Sequence, residues 1–323
     1  MPTCLVGLGS NQGARIAILE QAISRLAADP AVQVVARSRW FHTRPIGGPA
    51  GQGDFVNAAV RVETALPPDA FHARLRAIEA ALGRQRRERW AARVLDLDLL
   101  LYGDWIWNRP ELTIPHPRMA FRRFVLEPAA EVAGDLRHPA IGWTVQQLLD
   151  HLDLAKPYVA ITGVPGTGKT ELAQAVAKTQ SLHLLCDEQA GIAAAQPVLG
   201  QVAASMAAEV ARLQRRAAQL EASAFSAPTI SDFWIGQSLA YGSASAGGPV
   251  PVELEAAWHA VVLRVVPPKL LAVLEPLGDK TPLVRAFRNT IAELHPGPVL
   301  WLDAADRPWA LTELQAAIEA MSG

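Results

Sequence analysis

Residues 84–101, RQRRERWAARVLDLDLLL, carry two patterns in one short run. The second half, Leu95-Asp96-Leu97-Asp98-Leu99, alternates apolar and acidic residues. That period of two predicts a β-strand whose successive side chains face opposite ways. Asp96 and Asp98 then share one face, roughly 7 Å apart along the strand. Two bare carboxylates at that spacing repel by roughly 2 kcal/mol at an effective dielectric of about 20. A cation removes the cost, and magnesium suits the place because it binds one or two carboxylates together with substrate phosphates. The first half gathers Arg84, Arg86, Arg87, Arg89 and Arg93 around Trp90. Planar guanidinium groups beside a carboxylate pair suit a polyphosphate. Taken singly, an acidic edge strand or a solvated arginine run is the commoner meaning of each feature. Their adjacency turns the balance toward chemistry.

Working outward, residues 3–8 form a short apolar run that ends in turn residues, a strand. Residues 14–28 place Ile16, Leu19, Ile23 and Leu26 at helical spacing. Residues 32–41 and 55–64 are rich in valine and aromatic residues and read as strands, joined by the glycine- and proline-rich loop 43–53. Residues 68–82 set Phe71, Leu75, Ile78 and Leu82 on one helical face, and the acidic strand follows. The order is the split β-α-β-β-α-β arrangement of ferredoxin-like folds, an antiparallel sheet covered on one face by helices. A loop as long as 43–53 in a compact domain points to function.

These residues resemble a known family. Residues 89–100, RWAARVLDLDLL, are similar to the signature of hydroxymethyl-dihydropterin pyrophosphokinase. Further blocks follow in order: Gly9-Ser10-Asn11, Thr43-Arg44-Pro45, Asp54-Phe55-Val56-Asn57, and Pro115-His116-Pro117-Arg118 with Arg122 and Phe124 behind it. The resemblance covers about the first half of the chain. It implies transfer of pyrophosphate from ATP to a reduced hydroxymethylpterin, with AMP released. It also implies that Asp96 and Asp98 hold Mg2+ and that Arg84, Arg86 and Arg93 close over the phosphates. Thr43, Pro45, Phe55, Asn57, Trp90 and Phe124 would bind the pterin, the two phenylalanines stacking on its faces and the amide reading its polar edge. His116 and Arg122 would meet the nucleotide phosphates.

Composition sets outer limits. The 323 residues suffice for two domains, and half are hydrophobic. A net charge of −1 argues against a dedicated nucleic-acid or anionic-membrane binder. Cys4 and Cys186 stand far apart, so neither a disulfide framework nor a cysteine metal site is expected. No secretory leader and no membrane-length apolar run is read, and a soluble cytoplasmic protein is the expectation.

The second half opens on another phosphate signature. Residues 158–162, YVAIT, read as a buried strand. Gly163-Val164-Pro165-Gly166-Thr167-Gly168-Lys169-Thr170 then matches GxxxxGK[ST], with a helical run at 171–178 behind it. Strand, glycine-rich loop and helix are the setting a P-loop requires. The backbone around Gly163, Gly166 and Gly168 would cradle phosphates, Lys169 would reach the terminal ones, and Thr170 would ligate magnesium. Strand patterns at 182–188, 269–274 and 299–303 alternate with helical runs, which predicts a parallel α/β domain. The layout resembles the deoxynucleoside kinase family, with two departures. Asp232-Phe233-Trp234 stands where that family carries acid-Arg-Ser, and the arginine-rich lid shrinks to residues 276–288 with Arg285 and Arg288. The base falls at Asp187 or Glu188, a choice that stays open.

The expectation is therefore a two-domain α/β protein: a pterin pyrophosphokinase domain over 1–155 with a ferredoxin-like antiparallel sheet, and a P-loop nucleoside kinase-like domain with a parallel sheet over 156–323. Its expected ligands are Mg2+, ATP, a reduced pterin and a deoxynucleoside. A homodimer through the C-terminal domain is a further expectation. The alternative makes that domain a catalytically weak nucleotide-binding regulator or scaffold.

Overall fold

The computed structural model describes residues 1–49, 51–84, 92–187, 202–221, 225–276, 278 and 280–322, with backbone alone for 202–205. Arg86, Trp90 and Glu188 lie outside the described residues. The chain divides into two compact units, Met1–Asp153 with Ala316–Gly323, and Leu154–Gln315. The division expected near residue 155 leaves the last eight residues with the second half, whereas they pack with the first.

In the first unit the order is β1 (Thr3–Ser10), α1 (Arg15–Ala27), β2 (Val32–Arg37), β3 (Phe41–Thr43), β4 (Phe55–Thr64), α2 (Pro68–Ala81), β5 (Asp96–Tyr102), β6 (Trp107–Arg109), β7 (Leu112–Ile114), α3 (Arg123–Ala133) and α4 (Val145–Leu154). The sheet runs β2-β4-β1-β5, with β3 also on β4, and each of these pairs is antiparallel. Even-numbered residues of β1 and β4, among them Val6, Leu8, Val56 and Ala58, form one core with Leu97 and Leu99. Leu19 and Leu26 of α1 and Phe71 and Leu75 of α2 close over that face. Pro68 opens α2, where its missing N–H costs no hydrogen bond. The opposite face, carrying Leu5, Gly7 and Gly9, is covered at one end by α3, which packs on β4, β1 and β3.

The single strand expected over 32–41 is broken. Ser38 pairs with Ala59 through its own N–H to the Ala59 carbonyl at 3.0 Å, and its hydroxyl oxygen accepts the Ala59 N–H, also at 3.0 Å. A side chain thus takes a place in the ladder that a backbone carbonyl would fill, and the chain restarts as β3. The hairpin β6–β7 was not signalled by the sequence. β5 carries a bulge opposite Leu5 and Val6, whose partners are Leu101 and Leu99. The carbonyl of the extra residue, Leu100, accepts the His116 N–H at 2.9 Å, so the bulge fastens the His116 segment to the acidic strand.

The second unit contains β8 (Tyr158–Thr162), α5 (Lys169–Gln180), β9 (His183–Leu185), α6 (Val202–Gln219), β10 (Thr229–Ser231), α7 (Gln237–Ala246), α8 (Val252–Val261), β11 (Leu270–Glu275), α9 (Pro282–Leu294) and β12 (Val299–Asp303). Helix α10 (Arg307–Ser322) ends the chain. The sheet order is β12-β11-β8-β10-β9, with every pair parallel. All residues of β8 and β11 are buried, as strands covered on both faces should be. The strand expected over 182–188 is only three residues long, and Phe233 and Trp234, in the connection between β10 and α7, are buried in the core. Among the described residues no helix is long and apolar enough to cross a membrane.

Candidate active sites

The first site forms on the sheet face away from α1 and α2. Residues paired across an antiparallel sheet project from the same face, so register places the site. Asn57 of β4, Gly9 of β1 and Asp96 of β5 lie in one row, and Ala59, Gly7 and Asp98 in the next. The two glycines keep this strip bare between the amide and the acids. A Cβ on Gly9 would stand 3.1 Å from Asn57 Oδ1 and 3.9 Å from the Phe55 ring.

Asp96 accepts two guanidinium groups, Arg84 at 2.6 Å and Arg93 in a short contact. Burial opposes its ionisation, but Arg93 and Arg84 outweigh that and hold the carboxyl below its usual range. Arg122 and Arg93 act on Asp98 through their charge, more weakly than the two direct contacts that Asp96 receives. Burial and the neighbouring Asp96 charge push Asp98 up to about 7. His116 Nε2 lies 3.9 Å from Asp98, and burial together with Arg122 and Arg118 brings the imidazole down to about 3, so it is neutral. Among the described residues no group of three or more His, Cys, Asp or Glu could hold a metal ion. A cation here would rest on Asp96 and Asp98 plus oxygens of a ligand. The donor set fits magnesium, being two carboxylates on one bare face of the sheet.

Other expected residues cluster along the same rows. Asn57 is buried and its Nδ2 donates to Thr43 Oγ1 at 2.8 Å, which fixes the amide orientation. Phe55 pairs with Thr43 at the start of β4 and is half-buried, while Pro45 follows β3. Phe124, in the first turn of α3, is half-buried, and the Arg122 guanidinium lies 5.6 Å from its ring centre.

Two roles were not read from the sequence: Asn11 stood only within the block Gly9-Ser10-Asn11, and Glu79 was not singled out. Asn11 Oδ1 accepts the Arg93 N–H at 2.6 Å, and its own N–H donates to the Arg93 carbonyl at 3.0 Å. Its Nδ2 reaches Gln52 Oε1 at 3.2 Å and the Gly53 carbonyl at 3.4 Å. Glu79 is 3 % exposed on the core stripe of α2. It accepts the Leu97 N–H at 2.7 Å and pairs closely with Arg84. Burial raises its pKa above the ordinary range. The signal was its position four residues after Leu75, in the stripe Phe71-Leu75-Glu79.

Comparison with known proteins decides the family of this chain. Residues 5–134 match the model for 7,8-dihydro-6-hydroxymethylpterin-pyrophosphokinase, HPPK. A 2-amino-4-hydroxy-6-hydroxymethyldihydropteridine pyrophosphokinase of Synechocystis sp. is 39% identical over 173 residues, which is 54% of this chain and 88% of the relative. The chain belongs to the HPPK family. Another HPPK relative, from Methylorubrum extorquens, is 43% identical over 153 residues, 47% of this chain and 95% of its own length. Both spans are close to the size of the first unit, and the HPPK match itself ends before α4. A solved deoxyadenosine kinase from M. mycoides covers 49% of this chain and 95% of its own, at 13% identity and a TM-score of 0.36. That likeness is too loose to assign a fold.

The second site of this HPPK-family chain lies where β8, β10 and β9 end side by side, the edge at which open parallel sheets bind ligands. Gly163 has φ +139°, and a Cβ there would fall 2.0 Å from the Leu274 carbonyl oxygen, so only glycine fits. Gly166 and Gly168 also take positive φ. Lys169 Nζ donates to the Val164 carbonyl at 2.8 Å and is pressed down to about 8 by burial, against the pull of Asp232. Thr170 Oγ1 donates to Asp232 Oδ2 at 2.6 Å, and Asp232 Oδ1 accepts the Asp187 N–H at 2.8 Å. Arg288, expected in a lid, lies in α9 and pairs with Glu275 at the end of β11. Arg216 of α6, unforeseen, pairs with Asp187.

Proposed function

We propose that the first unit transfers the β,γ-pyrophosphoryl group of ATP to the hydroxymethyl oxygen of a reduced 6-hydroxymethylpterin. A bond forms between that oxygen and the β-phosphorus, the bond to the α–β bridging oxygen breaks, AMP leaves with that electron pair, and the hydroxyl proton passes to solvent. The observation that carries this reading is the row Asn57–Gly9–Asp96 beside Asp98: a fixed amide, a bare strip and a carboxylate pair on one surface. Magnesium held by Asp96 and Asp98 would neutralise the triphosphate. Asn57, oriented by Thr43, offers donor and acceptor to the edge of a heterocycle, and Phe55 and Phe124 supply aromatic faces, each worth about 1–3 kcal/mol when a base-like ring stacks on it. Arg84 and Arg93 hold negative charge at the acids, with Arg86 and Trp90 expected on the same stretch. Neutral His116 and cationic Arg122 stand beside Asp98 for the phosphate oxygens. Catalysis by position and charge needs no dedicated base. The strand order β2-β4-β1-β5 supports the ferredoxin-like reading of the fold. Asp98→Ala is the test: AMP formation from ATP and the pterin should fall by at least about 100-fold, and near-intact turnover would remove the metal role.

For the second unit, the glycine-rich loop, Lys169 and the Thr170–Asp232 contact support a P-loop nucleotide site that passes the γ-phosphoryl group of ATP to a nucleoside, with Thr170 at the magnesium. Chromatography after supplying ATP and mixed nucleosides separates this from a binding-only regulatory module. ADP with a nucleoside monophosphate supports the kinase, and bound ATP without turnover supports the module.

A further inference from the structure

Two segments of the second unit converge on the end of strand β11. Gly163, which opens the glycine-rich loop, packs on the Leu274 carbonyl. The Glu275 carbonyl, one residue on, accepts the Ala304 N–H at 2.9 Å. Strand β12 stands two places from β8 in the sheet, and this bond draws the chain that leaves β12 across the end of β11. Arg307 thereby reaches the loop that follows β8. A Cβ on Gly168 would stand 3.1 Å from Cζ and Nη2 of Arg307 and 3.4 Å from its Nε. The guanidinium lies over this glycine, so residue 168 is held to glycine twice, by its φ of +90° and by the arginine above it.

Electrostatics makes this an unfavourable place for a cation on its own. Arg307 is the first residue of α10, and Gly168 is the N-cap of α5, so the guanidinium stands at the positive ends of two helices. The first turn of α10 holds no acid. The acids just before it are turned to backbone: Asp303 Oδ1 accepts the Ala305 N–H at 2.9 Å, and Asp306 Oδ1 caps α10 by accepting the Trp309 N–H at 3.1 Å. Arg216 and Arg288, by contrast, are engaged with the carboxylates of Asp187 and Glu275. An anion seated on the loop would meet three favourable partners together, two helix N-termini and one exposed guanidinium fork.

Resting on the reading of the second unit as a P-loop nucleotide site, whether kinase or binding module, we propose that Arg307 is a phosphate-binding residue of that site. It donates to an oxygen of the nucleotide's phosphate chain from the β12 side of the loop, opposite Asp232 and Asp187 on the β10 and β9 side. The ligand class is a nucleoside polyphosphate, and the contact is to phosphate rather than to the base. The second unit thus gains a guanidinium for its phosphates from beyond β12, while Phe233, which follows Asp232 where an arginine was expected, is buried in the core.

The test follows amide hydrogen exchange across residues 163–178 of the full chain, with magnesium and increasing ATP or inorganic tripolyphosphate, and with no pterin or nucleoside present. Protection there reports binding at the glycine-rich loop and is blind to ATP held by the first unit. Arg307→Gln should raise the concentration for half-protection at least about tenfold for both probes, the range for loss of one charge-assisted hydrogen bond. Arg307→Lys keeps the charge without the fork and should raise it about threefold. Exchange across residues 270–275 should match wild type, which separates a lost contact from a lost fold. If the glutamine disturbs those residues, the lysine variant decides, a rise supporting the proposal and no rise overturning it. Half-protection within about twofold of wild type in a folded Arg307→Gln overturns the proposal. Weakening for ATP with tripolyphosphate unchanged overturns it too, because the contact is then to the nucleoside. In each of these cases a protected wild-type loop leaves the nucleotide reading standing. A wild-type loop that neither probe protects removes that reading, and this proposal with it.

Discussion

Replacing Glu79 tests the support beneath the acidic strand. Its carboxylate is buried, accepts the Leu97 N–H and pairs with Arg84, which in turn holds Asp96. Glu79→Leu fits the apolar stripe of α2 but strands the Leu97 N–H, a loss of about 1–3 kcal/mol for an unsatisfied buried donor. Severing a buried ion pair costs about 3–5 kcal/mol when the surviving charge is left alone. Arg84 keeps Asp96, so the full sum does not apply, and about 3 kcal/mol is expected. Glu79→Gln keeps the acceptor and loses only the charge, about 1 kcal/mol. Because the chain holds two units, a global melting curve would mix their transitions. Amide hydrogen exchange at Leu97 reports the site directly. At 1.4 kcal/mol for each factor of ten, Glu79→Leu should exchange about 100-fold faster and Glu79→Gln about fivefold faster. Leu97 exchange within threefold of wild type in Glu79→Leu would refute the reasoning.

His138 is buried, its Nδ1 accepts the Ile141 N–H at 3.2 Å, and burial brings its pKa down to about 4. The unfolded chain binds a proton near pH 6.5 and the folded chain does not. Stability should therefore fall as pH drops from 6.5 to 4, by up to about 3 kcal/mol. Urea midpoints across that window should show the slope, and His138→Gln should flatten it. Asn11→Ala removes the clasp on Arg93 and should lower kcat/KM for AMP formation about tenfold, equivalent to one strong hydrogen bond; an unchanged initial rate would sink that role. Gly163→Ala meets both a forbidden φ and the Leu274 carbonyl, and should cost the second unit about 3 kcal/mol or more, seen calorimetrically as a lowered Tm.

The outlines of both sheets were legible because strands announce themselves by period. The alternation at 95–99 carries the shared face of Asp96 and Asp98, and the runs read at 158–162 and 269–274 carry buried parallel strands. What stayed hidden was polar chemistry inside apolar stripes. Glu79 and Arg216 occupy core positions of α2 and α6, where a charged residue reads as solvent-facing until its partner is known. Arg84 lies in the turn just past α2, five residues after Glu79 and outside the three- and four-residue helical spacings, while Asp187 follows β9, 29 residues from Arg216. Ser38 hid the break between β2 and β3 for a similar reason: a hydroxyl standing in for a backbone carbonyl leaves the valine-rich pattern intact. The expectation that Arg84 serves phosphates also omitted its attachment to Glu79 and Asp96.

The arginine-rich stretch has its two described ends, Arg84 and Arg93, moored to a single carboxylate, Asp96. Anything that claims Asp96 loosens both guanidinium groups at once, leaving Arg84 on Glu79 and the Arg93 backbone on Asn11, and anionic cargo arriving alongside offers the two side chains a fresh berth. One carboxylate thus serves both described ends, and neutralising it as Asp96→Asn should free the two guanidinium groups together while the Arg84 and Arg93 amides stay bonded to Glu79 and Asn11.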